Sequence, residues 1–367
     1  MGVDGFYFMA SQIYLKTIWE HEILMDHFSK FMKMSRIFHA YRQRKTILPE
    51  MPIRLWIESS LECNLSCIMC ANKDIPKHNK GLMKFNLFKK IIDEAKDFVH
   101  DINIHHRGEP LTNPKLSEMI RYAKLAGIKV RFHTNATLLT FERSIEIVEA
   151  QPDLISISFD GFTKDIYEEV RRGASFEKTL DNIKYLLTLK HEKKYHIPYI
   201  IIERIDLKEY STKVDDKSIM ELTKTFKDWG VDEVVTKHEY TWVTPCSEKP
   251  RKEHSYNICT FPWYAMVICW DGTVTPCPQD FMAVLNMGNI QEHSIQEVWN
   301  SKAYIELRQD LIMNKLIPAA CAKCDRLCRK QVVGLPLQYI IPFFIDIFAG
   351  YGTFRRLIGS GERNEKN

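Results

Sequence analysis

Cys63, Cys67 and Cys70, in the run Glu62-Cys63-Asn64-Leu65-Ser66-Cys67-Ile68-Met69-Cys70, set three thiols at the spacing CxxxCxxC. Three thiolates leave one position of a four-coordinate centre open. An open position can bind a molecule and do chemistry on it, whereas structural centres are closed by four protein ligands. Taken alone, the triplet also fits buried core cysteines or a zinc knuckle with a distant fourth ligand. A second set follows downstream, with Cys259, Gly272 and Cys277 in the form CX12GX4C and then Cys321-Ala322-Lys323-Cys324. A hairpin turning at Asp271-Gly272 would bring Cys259 near Cys277, and the CxxC turn offers two more thiolates. Four ligands can then converge, a set that suits structural zinc or an iron–sulfur cluster. Cys246, Cys269 and Cys328 have no assigned role and read as packing or incidental cysteines.

Other short runs lie where strands end and carry ligand-binding residue types: Gly108-Glu109-Pro110, Thr134-Asn135, and Ser158-Phe159-Asp160-Gly161. In α/β folds, groups at the C-terminal ends of strands bind ligands. A Gly-Glu-Pro turn permits close backbone approach at the glycine and a fixed chain at the proline. His105, His106 and His133 also fall near strand ends, where each reads as a structural or solvated histidine, so no general base is assigned.

The elements that must hold these groups are read from periodicity. Strands are expected at 53–59, 101–107, 129–135, 154–160, 197–205 and 232–238, and helices at 84–98, 114–126, 140–149, 175–191 and 216–229. Six alternating β/α units imply a parallel sheet in an α/β fold, as a doubly wound sheet or a barrel. Residues 1–50 carry apolar positions at helical spacing, including Tyr14, Ile18, Phe28, Phe31 and Met32, expected to pack on the main domain of 51–240. Residues 241–333 form a smaller Cys- and Pro-rich region, in which Ser294-Ile295-Gln296-Glu297 reads as a capping box opening a helix to about Gln309. The tail, 334–367, is apolar and then polar. Pro342 and Asp346 interrupt it too early for a bilayer span, which leaves packing on this chain, a partner or a membrane surface.

With 367 residues and 45% hydrophobic content, the chain can bury a full core with an appendage. Its 51 basic and 47 acidic residues leave a net charge of +4 without a dense basic tract, which argues against nucleic acid as a partner. Ten clustered cysteines are far too sparse for a disulfide scaffold and favour reduced thiolates. With no secretory signal pattern, a cytoplasmic location is expected.

Following the strand 53–59, the triplet resembles the signature of radical S-adenosylmethionine (radical SAM) enzymes. The resemblance implies an open, partial (β/α)6 TIM-like barrel with Cys63, Cys67 and Cys70 holding a [4Fe–4S] cluster at its top. In that family, the fourth iron is chelated by the amino and carboxylate groups of S-adenosylmethionine (AdoMet), and an electron from the cluster cleaves the sulfonium to a 5′-deoxyadenosyl radical. His106-Arg107-Gly108-Glu109-Pro110 looks like the GGEP segment that meets the methionine amino group, with Arg107 replacing the first glycine. Thr134-Asn135 and the Ser158 segment are similar to further co-substrate motifs, with Arg171 or Arg172 as the carboxylate clamp. Met69 occupies a place often taken by an aromatic that packs on adenine.

Phe261-Pro262-Trp263, Asp271-Gly272, Pro276-Cys277, Gly288-Asn289-Ile290 and Val298-Trp299-Asn300 resemble the SPASM/twitch extension. The full SPASM form continues CX2CX5CX3C to a further cysteine. Here Cys328 follows Cys324 after three residues and no later cysteine exists, which implies one auxiliary [4Fe–4S] cluster held by Cys259, Cys277, Cys321 and Cys324. The implied function is a radical SAM oxidoreductase acting on an unreactive C–H bond, such as that of a sugar- or cyclitol-like alcohol, with the auxiliary cluster accepting an electron. A flavodoxin- or ferredoxin-type donor would supply the first electron. The alternatives are a peptide or protein maturase of the SPASM type and a non-catalytic iron–sulfur or zinc scaffold.

Overall fold

The computed structural model describes residues 28–210, 213, 215–238, 258–313, 315, 321, 324, 331–332, 335–336 and 363–364. Six parallel strands, β1 (Arg54–Ile57), β2 (Asp101–Asn103), β3 (Lys129–Thr134), β4 (Leu154–Ser158), β5 (Tyr199–Asp206) and β6 (Glu233–His238), lie side by side in sequence order. Between them run α2 (Phe85–Ala95), α3 (Leu116–Leu125), α4 (Phe141–Ala150), the pair α5 (Lys164–Val170) and α6 (Phe176–Glu192), and α7 (Asp216–Asp228). A helix over 28–42, α1, precedes them. The order of the elements is that expected from the sequence, except for the seven-residue α5, which is too short to show a clear period.

Alternation along the strands builds two unlike faces. Leu55, Ile57, Ile102, Ile104, Val130, Phe132, Ile155, Ile157, Ile200 and Ile202 are fully buried in the main core, shared with Phe88, Ile91, Met119, Ile147, Ile183 and Leu186 of the helices. Each contributes about 1.5–3 kcal/mol by leaving water. The opposite face, the inside of the curved sheet, carries Arg54, Trp56, Asp101, Asn103, Arg131, His133, Ser158 and Glu203. Its floor is tied by Arg54, which donates to both oxygens of Asp101 at 2.5 Å. Across β1 to β3 the register runs Trp56, Asn103, Arg131.

The C-terminal region is not a separate layer. After the short helix α8 (Phe261–Tyr264), β7 (Ala265–Ile268) pairs in parallel with β1, from Arg54 opposite Ala265 to Ile57 opposite Ile268. β8 (Thr273–Thr275) folds back on it through the expected turn, where Gly272 has φ +84°. β9 (Gly288–Asn289) continues the sheet, and Arg363–Asn364 pairs with β6 at the far edge. The capping box of Ser294 and Glu297 is present, but its helix, α9 (Ile295–Trp299), stops at Trp299. The expected run to Gln309 is broken because the Asn300 side chain bonds both backbone polar groups of Leu48, and Ser301 caps a new helix, α10 (Lys302–Ile312).

The buried face of α1 is formed by Met34, Ile37, Ala40 and Tyr41, while Phe28, Phe31 and Met32, expected to pack, are exposed. Residues 1–27 and most of the apolar tail lie outside the described residues. No helix among the described residues is long and apolar enough to cross a membrane.

Candidate functional site

The triplet loop leaves β1 and is held along its length. Ser66 and Ile68 donate their amides to the carbonyls of Arg172 and Val170. Asn72 donates from its side-chain amide to Leu61 O (2.9 Å) and Arg107 O (3.0 Å), and Lys80 caps its side-chain oxygen at 2.7 Å. Cys63, Cys67 and Cys70 thus lie within electrostatic reach of one another. Burial pushes the Cys63 thiol up to about 12, and the neighbouring Glu109, Cys67 and Cys70 add to this. Burial raises Cys67 and Cys70 as well, opposed chiefly by Arg171 at Cys67 and by the Asn72 amide at Cys70. Such thiols ionise when a cationic centre replaces the water they have lost.

Gly108 lies directly against this loop. A Cβ there would stand 2.4 Å from Ser60 O and 2.5 Å from Glu62 O, so only glycine fits. The adjacent Glu109 amide donates to Glu62 O at 2.8 Å. The carboxylate of Glu109 is directed away from solvent and is already engaged: it accepts from Leu111 N (3.1 Å), Thr134 Oγ1 (2.8 Å) and Asn135 N (2.8 Å). It fixes the end of β3 to the turn. Pro110 opens the helical turn that follows.

Asn135 reaches toward the triplet, with Nδ2 3.1 Å from Asn64 Oδ1 and 4.0 Å from Cys63 Sγ. Ser158 ends β4, partly exposed on the same rim. Arg171, not Arg172, is the buried arginine beside the cysteines. Its Nη2 donates to Asp160 Oδ2 at 2.6 Å, while its buried Nε has no hydrogen-bond partner among the described residues. Against burial, the charges of Asp160 and Cys67 hold the guanidinium above its ordinary value. Met69 packs with Ile166, Val170, Leu207 and Tyr210, beside a cleft that Gly161 and Arg204 help to line.

Arg107 is not a bystander in the turn. Its Nε and Nη2 donate to the two oxygens of the fully buried Glu58 at 2.7 and 2.8 Å. Trp270 N donates to the same carboxylate at 3.2 Å, and Arg107 Nη1 reaches Phe281 O at 3.4 Å. The residue that departs from the glycine pattern therefore ties the first thiol loop to the C-terminal hairpin.

The second thiol set gathers on that hairpin. Cys259 and Cys277 pack with Phe261, Val267 and Trp56, and Cys321 and Cys324 close a turn through Cys324 N to Cys321 O at 3.1 Å. Burial raises Cys259 well above its ordinary value, and the thiols of Cys277, Cys324 and Cys321 raise it further, so the four are neighbours. Cys321 is pushed up to about 12 by the same causes. Cys269 is buried near Glu58 and Arg107, away from the four, and Cys246 and Cys328 lie outside the described residues. Trp56 links this set to the inward face: its ring centroid is 5.1 Å from that of Phe261, and Arg54 and Arg131 lie over it.

Above this floor the inward face carries a group that sequence reasoning did not bring together. His105 and His133 stack at 4.2 Å, His133 Nδ1 is 3.5 Å from Glu203 Oε2, and Lys237 Nζ is 2.7 Å from Glu203 Oε1. The two-residue period on β3 and β5 was the available signal, since it puts His133 and Glu203 on the polar face.

The comparisons with known proteins agree with this arrangement. The radical SAM superfamily model matches residues 57–214, and the SPASM iron–sulfur cluster-binding domain model matches residues 259–325. The chain is 26% identical over 316 residues to the tungsten-containing aldehyde ferredoxin oxidoreductase cofactor-modifying protein of Pyrococcus furiosus, covering 74% of this chain and 86% of that protein. Its fold is similar to that of anSMEcpe with bound AdoMet, with a TM-score of 0.54 and 19% identity over 84% of this chain and 98% of that one. It is also similar to Streptococcus suis SuiB bound to the precursor peptide SuiA, with a TM-score of 0.55 and 16% identity over 77% of this chain and 72% of that one. The chain carries a radical SAM domain over residues 57–214 and, after this partial barrel, a SPASM iron–sulfur cluster-binding domain over residues 259–325.

Proposed function

We propose that this enzyme oxidises an unreactive C–H bond in a small, hydroxyl-bearing molecule of the sugar or cyclitol class, bound inside the partial barrel. The observation that carries this reading is the inward face itself. Asn103, His105, Arg131, His133, Glu203 and Lys237 line it with hydrogen-bonding groups, between the triplet loop at one end and the Trp56–Phe261 contact to the second thiol set at the other. Such a lining suits a ligand rich in hydroxyls.

The donor sets fit the groups the family implies. Three half-buried thiols with a partly unpartnered arginine beside them suit a [4Fe–4S] cluster and the carboxylate of AdoMet. Cys63, Cys67 and Cys70 would hold that cluster. When bound and reduced by a flavodoxin- or ferredoxin-type donor, cluster and AdoMet supply a carbon radical able to remove a hydrogen atom from an unactivated carbon. The backbone of Gly108-Glu109-Pro110 would receive the methionine ammonium, Asn135 and Ser158 would border the co-substrate, and Arg171 would meet its carboxylate. Met69 would cover the adenine ring with its thioether. Cys259, Cys277, Cys321 and Cys324 would close an auxiliary cluster on all four sides, which suits electron acceptance better than substrate binding.

Anaerobic reconstitution tests the reading. Two [4Fe–4S] clusters require about eight irons per chain. With dithionite and AdoMet the protein should form 5′-deoxyadenosine, and a cyclitol or amino-cyclitol panel should yield ketone. Turnover of a Ser- or Cys-containing peptide in place of the cyclitols would assign a maturase. Stoichiometric zinc without iron would overturn the enzyme reading altogether.

A further inference from the structure

We infer that His133, oriented by Glu203, is the proton acceptor for the hydroxyl group on the carbon that this enzyme oxidises, an assignment that rests on the substrate class just proposed. The register places the pair where such a group must work. Glu203 lies opposite Ser158 at the top of β4, and His133 lies two residues before Asn135 on β3, so the dyad sits directly beneath the rim that borders the co-substrate.

The local chemistry gives His133 one direction to face. Its Nδ1 is directed to Glu203 Oε2 at 3.5 Å, and its ring is 4.2 Å from that of His105, nearly parallel. The side chain remains 28% exposed on the inward face, so the imidazole is accessible there. A carboxylate on Nδ1 fixes the neutral tautomer with its proton on Nδ1 and leaves Nε2 as the acceptor. The groups facing the imidazole are His105 from the loop after β2, Arg131 from its own strand, Ser156 from β4, Glu203 from β5 and Lys237 from β6. Burial, and then the neighbouring His133 and His106, keep His105 well below its ordinary range, so it stays neutral and leaves the stack free to carry one charge. Lys237 and His133 outweigh burial to keep Glu203 ionised, and that fixed charge stabilises the imidazolium that forms.

The step balances. The carbinol C–H hydrogen leaves as an atom to the AdoMet-derived radical, the hydroxyl proton goes to His133 Nε2, and one electron leaves for the auxiliary cluster. The carbon has then lost two electrons and two hydrogens, and the C–O bond becomes a carbonyl. Loss of the hydrogen atom makes the remaining hydroxyl far more acidic, which brings it within reach of an imidazole.

The test needs no substrate. In the reconstituted holoenzyme labelled with 15N-histidine, the His133 resonances are assigned by their loss in His133→Asn. Neutral His133 should carry its proton on Nδ1. In Glu203→Gln the tautomer preference should be lost, because the carboxylate beside Nδ1 is gone. In Lys237→Met, which leaves Glu203 to His133 alone, the Nδ1 tautomer should persist, and this second variant keeps the test open if the first misfolds. A neutral His133 protonated on Nε2, or a tautomer unchanged in Glu203→Gln, would overturn the assignment. If the cyclitol panel yields no ketone, the substrate reading fails while the tautomer still reports on the dyad. A wrong tautomer in a protein that cleaves AdoMet removes the base and leaves the reading intact.

Discussion

Replacing Gly108 with alanine should disable the enzyme through one methyl group. The added Cβ would stand 2.4 Å from Ser60 O, 2.5 Å from Glu62 O and 2.7 Å from the Leu61 carbonyl carbon, all backbone atoms that have no rotamer to escape into. Ordinary contact begins at 3.4 Å, so the loop must retreat by about 1 Å. Its retreat is opposed by the Glu109 N to Glu62 O bond and by the Asn72 bonds to Leu61 O and Arg107 O. Overpacking of this kind costs roughly 1–3 kcal/mol in stability. A 1 Å displacement of Cys63 relative to the Gly-Glu-Pro turn should cost on the order of a hundredfold in rate. The assay is 5′-deoxyadenosine formation by the anaerobically reconstituted protein, with iron content and thermal midpoint measured on the same sample. A G108A variant with full iron and a rate within threefold of wild type would refute the argument that backbone approach is what this glycine provides.

Other consequences can be checked in the same preparations. Cys63→Ala should lose about four of the eight irons and all 5′-deoxyadenosine formation; undiminished AdoMet cleavage would remove the triplet from its proposed role. Glu58→Gln should destabilise the protein by about 3–5 kcal/mol, because Arg107 is left buried without its counter-charge, and a thermal midpoint equal to wild type would show the pair to be dispensable. His100 and His106 are lowered by burial to about 4 and about 3 from an ordinary 6.5, so both are neutral when folded. Their contribution is present above pH 6.5 and is lost as pH falls toward 4 and 3, at up to about 1.4 kcal/mol per pH unit for each. Chemical denaturation of wild type and His106→Phe across that range should show a shallower fall in the variant; parallel curves would exclude His106 as a source.

Most of the barrel was legible because its cause is local. Apolar alternation on β3 and β4 and the helical spacing of α2 and α6 are properties of short windows, and the thiol spacings are properties of single loops. What could not be read depends on distant partners. The pairing of β7 with β1 joins residues more than two hundred positions apart, and nothing in Ala265 to Ile268 distinguishes an edge strand of a small domain from a seventh strand of a large sheet. The Arg107 substitution looked like a departure from pattern, and only contact with Glu58, Trp270 and Phe281 gives it a reason. Glu109 carried the expected carboxylate, but its bracing of the turn against Thr134 and Asn135 could be seen only once β3 was placed beside it. His133 was indistinguishable from any strand-end histidine until β5 supplied Glu203 beside it.

The parallel ladder between β1 and β7 also governs how the molecule can be assembled and cut. Without β7, the backbone of Arg54 to Ile57 would present an open edge at the rim of a hydrophobic sheet, the kind of template on which chains aggregate. The SPASM domain therefore acts as a guard for the barrel as well as a carrier of thiols, and β1 must be in place before that guard can dock. A barrel expressed alone would carry the exposed edge into solution, and a graft of a foreign SPASM domain would succeed only if its first strand kept the same four-residue register.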